Sequence, residues 1–208
     1  CKDKKLDPTL VIPPTFLIRY LTFESDLRHL MNAKKAVDPT FKTPLIIKPG
    51  ENSNRGNGIA LAYSEEETSA QCAHLLKIRR TTTNCAIVQY YVPNPLLYKG
   101  RKFDIRCYCL LVRLANRVSF YWYLDGYART SNFEYNLHEK ANMMIHLTNE
   151  AVQVKDQGSF GTHEPGNKVY FDDLNEYFKN DMKFRGKGKT WNEHIVPLFR
   201  VGFWLPSL

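Results

Sequence analysis

The sequence predicts an α+β fold in two lobes, and three observations carry that expectation. Short strands and single helices follow one another without a βαβ repeat. A meander of adjoining strands fills the middle of the chain. The Pro93-Asn94-Pro95 break falls between these regions and marks the lobe boundary. The 208 residues include twelve Tyr, twelve Phe and three Trp, within a hydrophobic fraction of 43%. That supplies a core and excludes a disordered tail.

Residues 10–18 (LVIPPTFLI) read as an extended, proline-interrupted segment. From Ser25 to Lys35, Leu27, Leu30 and Met31 fall at helical spacing. Pro44 to Lys48 is a short buried-type strand that runs into the loop Gly50–Gly58, and Ile59 to Tyr63 is the returning strand. Ser64 and Glu67 form a capping box for the next helix, whose basic end is Lys77, Arg79 and Arg80. Cys85 to Val92 is a strand stopped by the prolines. Phe103 to Leu114 and Val118 to Leu124 are long strands joined at Ala115-Asn116-Arg117. Asp125-Gly126 is a two-residue hairpin signal leading into Tyr127–Thr130. Residues 131–170 are loop-like by pattern, and Asp172–Lys179 and Trp191–Arg200 are short helix candidates, the second weakened by Pro197.

The five cysteines (Cys1, Cys72, Cys85, Cys107 and Cys109) contain no CxxC pair, which argues against a zinc ribbon. Cys107 and Cys109 read as two small core thiols on one face of a strand, and Phe120-Tyr121-Trp122-Tyr123 reads as strand core. With no sequon, no basic-then-apolar leader and no apolar run long enough to span a bilayer, a reducing cytosolic compartment is expected. The chain opens at Cys1, so a fragment or a processed product is expected. The net charge of +8 attracts anions without naming them.

Lys102, Asp104 and Arg106 alternate on a predicted strand and so share a face, with neighbours roughly 6–7 Å apart. That spacing suits a polyphosphate: two cations for its oxygens, and a carboxylate for Mg²⁺ or for orienting the cations. An isolated K-x-D-x-R is more often a solvated strand face with one salt bridge. Ser53-Asn54-Arg55-Gly56-Asn57-Gly58 lets backbone N–H groups converge on an anion, or forms an ordinary hairpin tip. It is neither a P-loop nor a dinucleotide fingerprint. Arg129 follows the Asp125-Gly126 turn and can meet a developing anion, and His146-Leu147-Thr148-Asn149 concentrates hydrogen-bonding groups. Hydrolase and metalloprotease motifs are absent, as is the aromatic pattern of an RNA-binding sheet.

The spacing of these motifs together resembles the tubulin–tyrosine ligase-like family, from about Pro13 to about Phe178. Ile46-Ile47-Lys48-Pro49 with Asn54-Arg55-Gly56-Asn57-Gly58-Ile59 is similar to its "W-I-x-K-P … R-G-x-G-I". Val88-Gln89-Tyr90-Tyr91-Val92 resembles its "Q-K-Y-I" hinge, and Arg101-Lys102-Phe103-Asp104-Ile105-Arg106 its "R-K-F-D-I-R". Gly126 to Ser131 resembles "G-x-x-R-x-S", and His146 to Gln153 resembles "H-L-T-N-x-x-V-Q".

The resemblance implies an ATP-grasp fold, two lobes enclosing a nucleotide cleft, here incomplete at both ends. One lobe covers 1–92, with the glycine loop 50–58 and the hinge 88–92; the other covers 93–208 and lacks the family's final metal-binding block. ATP and Mg²⁺ are the implied cofactors. Lys48, Arg55, Gly56 and Gly58 would lie against the nucleotide phosphates, and Gln89, Tyr91 and Val92 against the adenine. Lys102, Asp104 and Arg106 would line the phosphate and metal region, with Arg129 where acyl phosphate and incoming amino acid meet. His146, Thr148 and Asn149 would contact the nucleotide and metal side, Asp104 and Asn149 being the implied metal ligands.

The implied activity is ligation of glutamate or glycine, rather than tyrosine, to acidic tubulin tails through an acyl phosphate, with Arg129, Lys102 and Arg106 catalytic. The implied location is the cytoplasm and cytoskeleton, cilium or basal body included. Two departures stand out. Tyr90 occupies the family's hinge Lys position, which puts a polar adenine contact in doubt. The family's "E-V-N" block and its upstream Asp are missing, so this piece is expected to be inactive as a ligase. The alternatives are a non-catalytic ATP- or microtubule-binding relative and, resting on charge alone, a nucleic-acid-binding module. Nucleic acid and membrane are not expected partners.

Overall fold

The computed structural model describes residues 12–50, 53, 55–78, 85–115 and 117–180. It is a mixed α/β chain of antiparallel sheets that divides into two compact units, Cys1–Pro95 with Leu137–Met143, and Leu96–Asn136 with Met144–Leu208.

The first unit runs β1 (Thr15–Arg19), α1 (Phe23–Val37), β2 (Leu45–Pro49), β3 (Ala60–Ala62), α2 (Glu65–Ile78) and β4 (Cys85–Tyr90). Its sheet has the order β1-β4-β2-β3, antiparallel throughout. Strand alternation sorts the faces. Ile18, Leu45, Ile47, Ala86 and Val88 are fully buried and cluster with Leu27, Leu30 and Met31 of α1 and Cys72 and Leu76 of α2. The opposite face carries Ile46, Lys48, Ile87 and Gln89, all partly exposed.

The apolar spacing predicted for α1 is the stripe that packs, and acidic Glu24 and Asp26 against basic Lys34 and Lys35 suit the helix dipole. The capping box of α2 forms in displaced fashion: Glu67 N–H donates to Ser64 Oγ at 3.1 Å, while Glu67 Oε2 accepts from Tyr63 N–H at 2.7 Å, one residue before the box expects. The predicted basic end at Arg79 and Arg80 lies outside the described residues. In the glycine loop Arg55, Gly56 and Gly58 have φ of 57°, 79° and 74°. A Cβ on Gly58 would also come within 2.8 Å of Pro49 Cγ, so both backbone and packing require glycine there.

The second unit runs β5 (Leu97–Tyr98), β6 (Arg101–Arg106), β7 (Cys109–Leu114), β8 (Arg117–Trp122), β9 (Tyr127–Glu134), α3 (Glu150–Gln153), β10 (Lys168–Tyr170) and α4 (Phe171–Asn180). One sheet has the order β10-β9-β6-β5, and β7-β8 is a hairpin of its own. Ala128, Val169 and Tyr98 cluster with Leu174 and Phe178 of α4, with Phe103, Ile105, Phe171 and Tyr177 packed around them.

Several expectations are corrected here. The single strand predicted over Phe103–Leu114 breaks at Cys107-Tyr108, and its halves join different sheets. Asp125-Gly126 does not close a hairpin: β8 pairs with β7, and β9 pairs with β6 and β10. Gly126 is required for another reason, since a Cβ there would sit 2.4 Å from Arg106 O and 2.8 Å from Phe171 Cζ. Cys107 is half-buried and Cys109 exposed, so they are not paired core thiols. Phe120, Tyr121 and Tyr123 are 43%, 58% and 62% exposed on the β7-β8 hairpin, and so are not core. The loop-like stretch 131–170 holds the end of β9, α3 and β10, elements of a few residues in which periodicity cannot show. Helix α4 matches the predicted Asp172–Lys179, and the predicted Trp191–Arg200 helix lies outside the described residues.

Candidate functional site

In the second unit the strand register builds a polar face. Lys168, Arg129 and Asp104 stand side by side across β10, β9 and β6, and Tyr170, Tyr127 and Arg106 form the next row. Opposed residues of antiparallel strands share a face. The alternate row, Val169, Ala128 and Ile105, is the one that packs into the core. Predicted alternation at Lys102, Asp104 and Arg106 is therefore met by three strands rather than one.

Asp104 is the hub. Arg129 Nε donates to Asp104 Oδ1 at 2.8 Å and Nη2 to Oδ2 at 2.6 Å, a bidentate pair. Thr148 Oγ1 donates to the same Oδ2 at 2.7 Å. The hydrogen bond to Asp104, reinforced by its charge, raises the Arg129 pKa despite partial burial. Lys102 Nζ donates to His146 O at 3.0 Å, so the backbone carbonyl of His146 serves the site. The His146 imidazole is 2% exposed and packs edge-on to Tyr135. Asn149 caps α3 through its backbone, its carbonyl accepting from Val152 N–H at 2.8 Å and Gln153 N–H at 3.1 Å. Arg106 lies exposed at the strand end.

Under this face lies a buried polar network that sequence reasoning missed. β9 bulges opposite β6 between Thr130 and Glu134. There Asn132 N–H donates to Gln153 Oε1 at 2.7 Å and Asn132 Nδ2 to Gln153 O at 2.9 Å. Gln153 Nε2 donates to Met144 O at 2.8 Å and also to Leu147 O, which pins both sides of His146. Asn167 Nδ2 donates to Thr130 O at 3.1 Å and to Asn132 Oδ1 at 2.5 Å. Arg101, 2% exposed, donates to Thr130 Oγ1, Ser131 O and Glu164 Oε1 at 3.1, 3.2 and 2.5 Å. One signal could have found it: by alternation Arg101 shares the apolar face of Phe103 and Ile105, where a cation needs a buried partner.

In the first unit Lys48 Nζ donates to Gln89 Oε1 at 2.8 Å, and Gln89 Nε2 donates to Thr15 Oγ1 at 2.8 Å. Burial pushes the Lys48 pKa down. Tyr91 is 5% exposed and its N–H donates to Pro44 O at 3.3 Å, while Val92 is 48% exposed. Arg55 and Gly58 are exposed in the loop after β2, with Gly56 partly covered between them. The Tyr90 ring lies on the helix-covered face, packed with Phe16 and below Lys34, on the opposite side of β4 from Gln89.

Among the described residues no three or more His, Cys, Asp or Glu converge as a metal site, and no helix is long and apolar enough to cross a membrane. Asp104 is 38% exposed, so its carboxylate stays reachable although both oxygens are engaged.

The chain is 31% identical over 184 residues to protein polyglycylase TTLL10 of Macaca fascicularis, covering 82% of this chain and 28% of that protein. It is 31% identical to the inactive polyglycylase TTLL10 of Homo sapiens, over 82% of this chain and 26% of that protein. With tubulin glycylase 3B of Drosophila melanogaster the identity is 34%, over 71% of this chain and 19% of that protein. The chain thus spans under a third of the length of these relatives. The tubulin-tyrosine ligase family model matches residues 3–202, and with the motifs above in matching order the chain belongs to the tubulin-tyrosine ligase family.

Proposed function

We propose that the chain belongs to an ATP-dependent ligase that joins glycine or glutamate to acidic tubulin tails, on an ATP-grasp framework. The observation that carries this reading is the Asp104–Arg129 pair, with Lys102 and Thr148 fixed around it on one reachable face. In the reaction the γ-phosphoryl group of ATP passes to a tail carboxylate and ADP leaves. The amine of the amino acid then attacks the acyl carbon, phosphate departs and an amide remains. Little covalent chemistry falls to the protein, whose task is placement and charge neutralisation.

Lys102, Arg106 and Arg129 are the proposed catalytic cations. Thr148, Asn149 and the His146 carbonyl position them or the nucleotide. In the first unit Lys48 and Gln89 are the proposed nucleotide contacts of the sheet face, Arg55, Gly56 and Gly58 those of the loop, and Tyr91 and Val92 those of the hinge. Mg²⁺ would come with the nucleotide phosphates and take Asp104 as a protein carboxylate, with Asn149 as a further donor, supplying neutralisation and orientation of the phosphates. The relatives' names favour glycine, and the +8 charge suits an acidic tail. Such a substrate places the protein on the cytoskeleton in the cytoplasm, cilium or basal body included.

Calorimetry with Mg-ATP tests the site. Lys102→Ala and Arg106→Ala should each weaken binding about tenfold; unchanged affinity would refute the assignment. Microtubule binding should weaken from low to physiological salt and on removal of the tails, and equal binding to tail-less microtubules would count against them as the substrate. A second reading, a relative that binds ATP or microtubules without catalysis, draws on the human relative named inactive. Mg-ATP binding without incorporation of labelled glycine or glutamate would select it.

A further inference from the structure

The polar face of the second unit ends on an ion pair that the family motifs do not single out. Lys168 stands beside Arg129 in the row that Asp104 completes. Glu150 opens α3, directly after Asn149. Lys168 Nζ and Glu150 Oε2 are 3.8 Å apart, with the two side chains 32% and 51% exposed. A closed charge-assisted hydrogen bond is roughly 2.7–2.9 Å, and the neighbouring Arg129–Asp104 pair closes at 2.6 Å. Lys168 and Glu150 therefore form a loose ion pair, reachable by solvent, over which a ligand carrying both charges can lie. An exposed pair of this length contributes little to stability, so little is lost when something comes between its members.

The pair is held from both sides. The Lys168 ammonium lies 5.6 Å from the centre of the Tyr127 ring, a contact that fixes its direction without using its N–H groups. Glu150 opens α3 two residues after Thr148, whose hydroxyl donates to Asp104, which sets it beside the reaction face. Arg129 is itself closed on Asp104 and does not compete for Glu150 by hydrogen bonding in this arrangement.

An α-amino acid in neutral water carries an ammonium and a carboxylate on the same carbon. We propose that Lys168 and Glu150 are the receptor for the free amino acid: the Lys168 ammonium takes its α-carboxylate and the Glu150 carboxylate takes its α-ammonium. The assignment rests on reading this face as the reaction face. It delivers the amine beside Arg129, where the acyl phosphate is proposed to form. The clamp reads groups that glycine and glutamate share, so it selects α-amino acids as a class and leaves the side chain to be chosen elsewhere.

The test is titration of the full chain with glycine and with L-glutamate in the presence of Mg²⁺ and a non-hydrolysable ATP analogue, followed by ligand-observed NMR. Acetate and methylamine, each carrying one of the two charged groups, are the comparison ligands. Wild type should bind both amino acids about tenfold or more tightly than acetate or methylamine. Lys168→Met and Glu150→Gln should each lower glycine affinity by about tenfold, while Lys168→Arg retains it. All three variants should hold the ATP analogue within about twofold of wild type, which also shows that they are folded. Glycine binding unchanged in both Lys168→Met and Glu150→Gln, or glycine no better than methylamine on wild type, overturns the clamp. Failure of wild type to bind the analogue refutes the nucleotide reading instead, and the two failures are distinct.

Discussion

The first unit holds two lysines in opposite ways. Lys34, on the helix-covered face, is 2% exposed, and its ammonium donates to Asp38 Oδ2 at 2.8 Å and to Thr43 O at 2.7 Å. The rings of Phe41 and Tyr90 lie 5.2 and 5.4 Å away. Lys48, on the open face, has the neutral amide of Gln89 as its recorded hydrogen-bond partner, and burial lowers its pKa. One cation is closed by a carboxylate, a carbonyl and two rings; the other is held by an amide, with no carboxylate paired to it among the described residues. In the second unit Arg101 is likewise closed, on Glu164 within the core. A cation whose charge is cancelled where it stands supports the fold. A cation oriented by neutral groups has charge to offer an anion.

The contrast can be broken by substitution, and the largest effect is expected at the closed cations. Arg101→Met leaves Glu164 with a buried, unpaired charge and should cost about 3–5 kcal/mol in denaturant unfolding. Adding Glu164→Leu should recover part of that loss; no recovery would mean the cost lies in packing. Lys34→Met should cost about 3 kcal/mol by the same argument, since Asp38 loses its counter-charge. Lys48→Met should change unfolding by less than about 1 kcal/mol, because the desolvated charge and its amide bond are lost together. The same Lys48 variant should weaken Mg-ATP binding about tenfold, and a large stability loss with unchanged binding would reverse the roles of the two lysines.

A smaller effect is expected at Thr148→Val, about 1 kcal/mol in unfolding, since one hydrogen bond to Asp104 is removed while Arg129 remains. The smallest is a pH effect. Burial alone would raise the Asp38 carboxyl, but hydrogen bonds from Lys34, Thr43 and Lys42 outweigh it and hold the pKa below 3.8. A depressed carboxylate contributes stability that is present above its unfolded pKa and is lost as pH falls through the folded value. Thermal melts below pH 4 should therefore show a shallower acid loss in Lys34→Met than in wild type; parallel curves would show that Lys34 does not set the Asp38 pKa.

Legibility in the sequence followed the length of each pattern. α1 and α4 were readable because their apolar residues recur over several turns, and the amphipathic stripe is what packs. β10 was not, because three residues cannot display a period. The break at Cys107-Tyr108 was hidden because β6 and β7 are both β-prone, so one continuous run concealed two sheets. The largely exposed run Phe120-Tyr121-Trp122-Tyr123, in which Trp122 alone is half-covered, misled for the opposite reason: aromatic residues suit a strand whether or not a layer covers them.

Of the candidate site, residue types and order were in the sequence: Lys102, Asp104 and Arg106 on one strand face, and a block from His146 to Gln153 rich in hydrogen-bonding groups. Alternation is a property of the local backbone, so a strand assigned correctly sorts its own faces. Partners across strands are not local. That Arg129 closes on Asp104, that Lys168 joins their row, that Tyr90 turns away from Lys48, and that Gln153 pins the His146 loop all depend on pairing register and on a bulge in β9. Register comes from burying one face of each sheet at once, a condition set by residues far apart in the chain, and only the tertiary structure decides it.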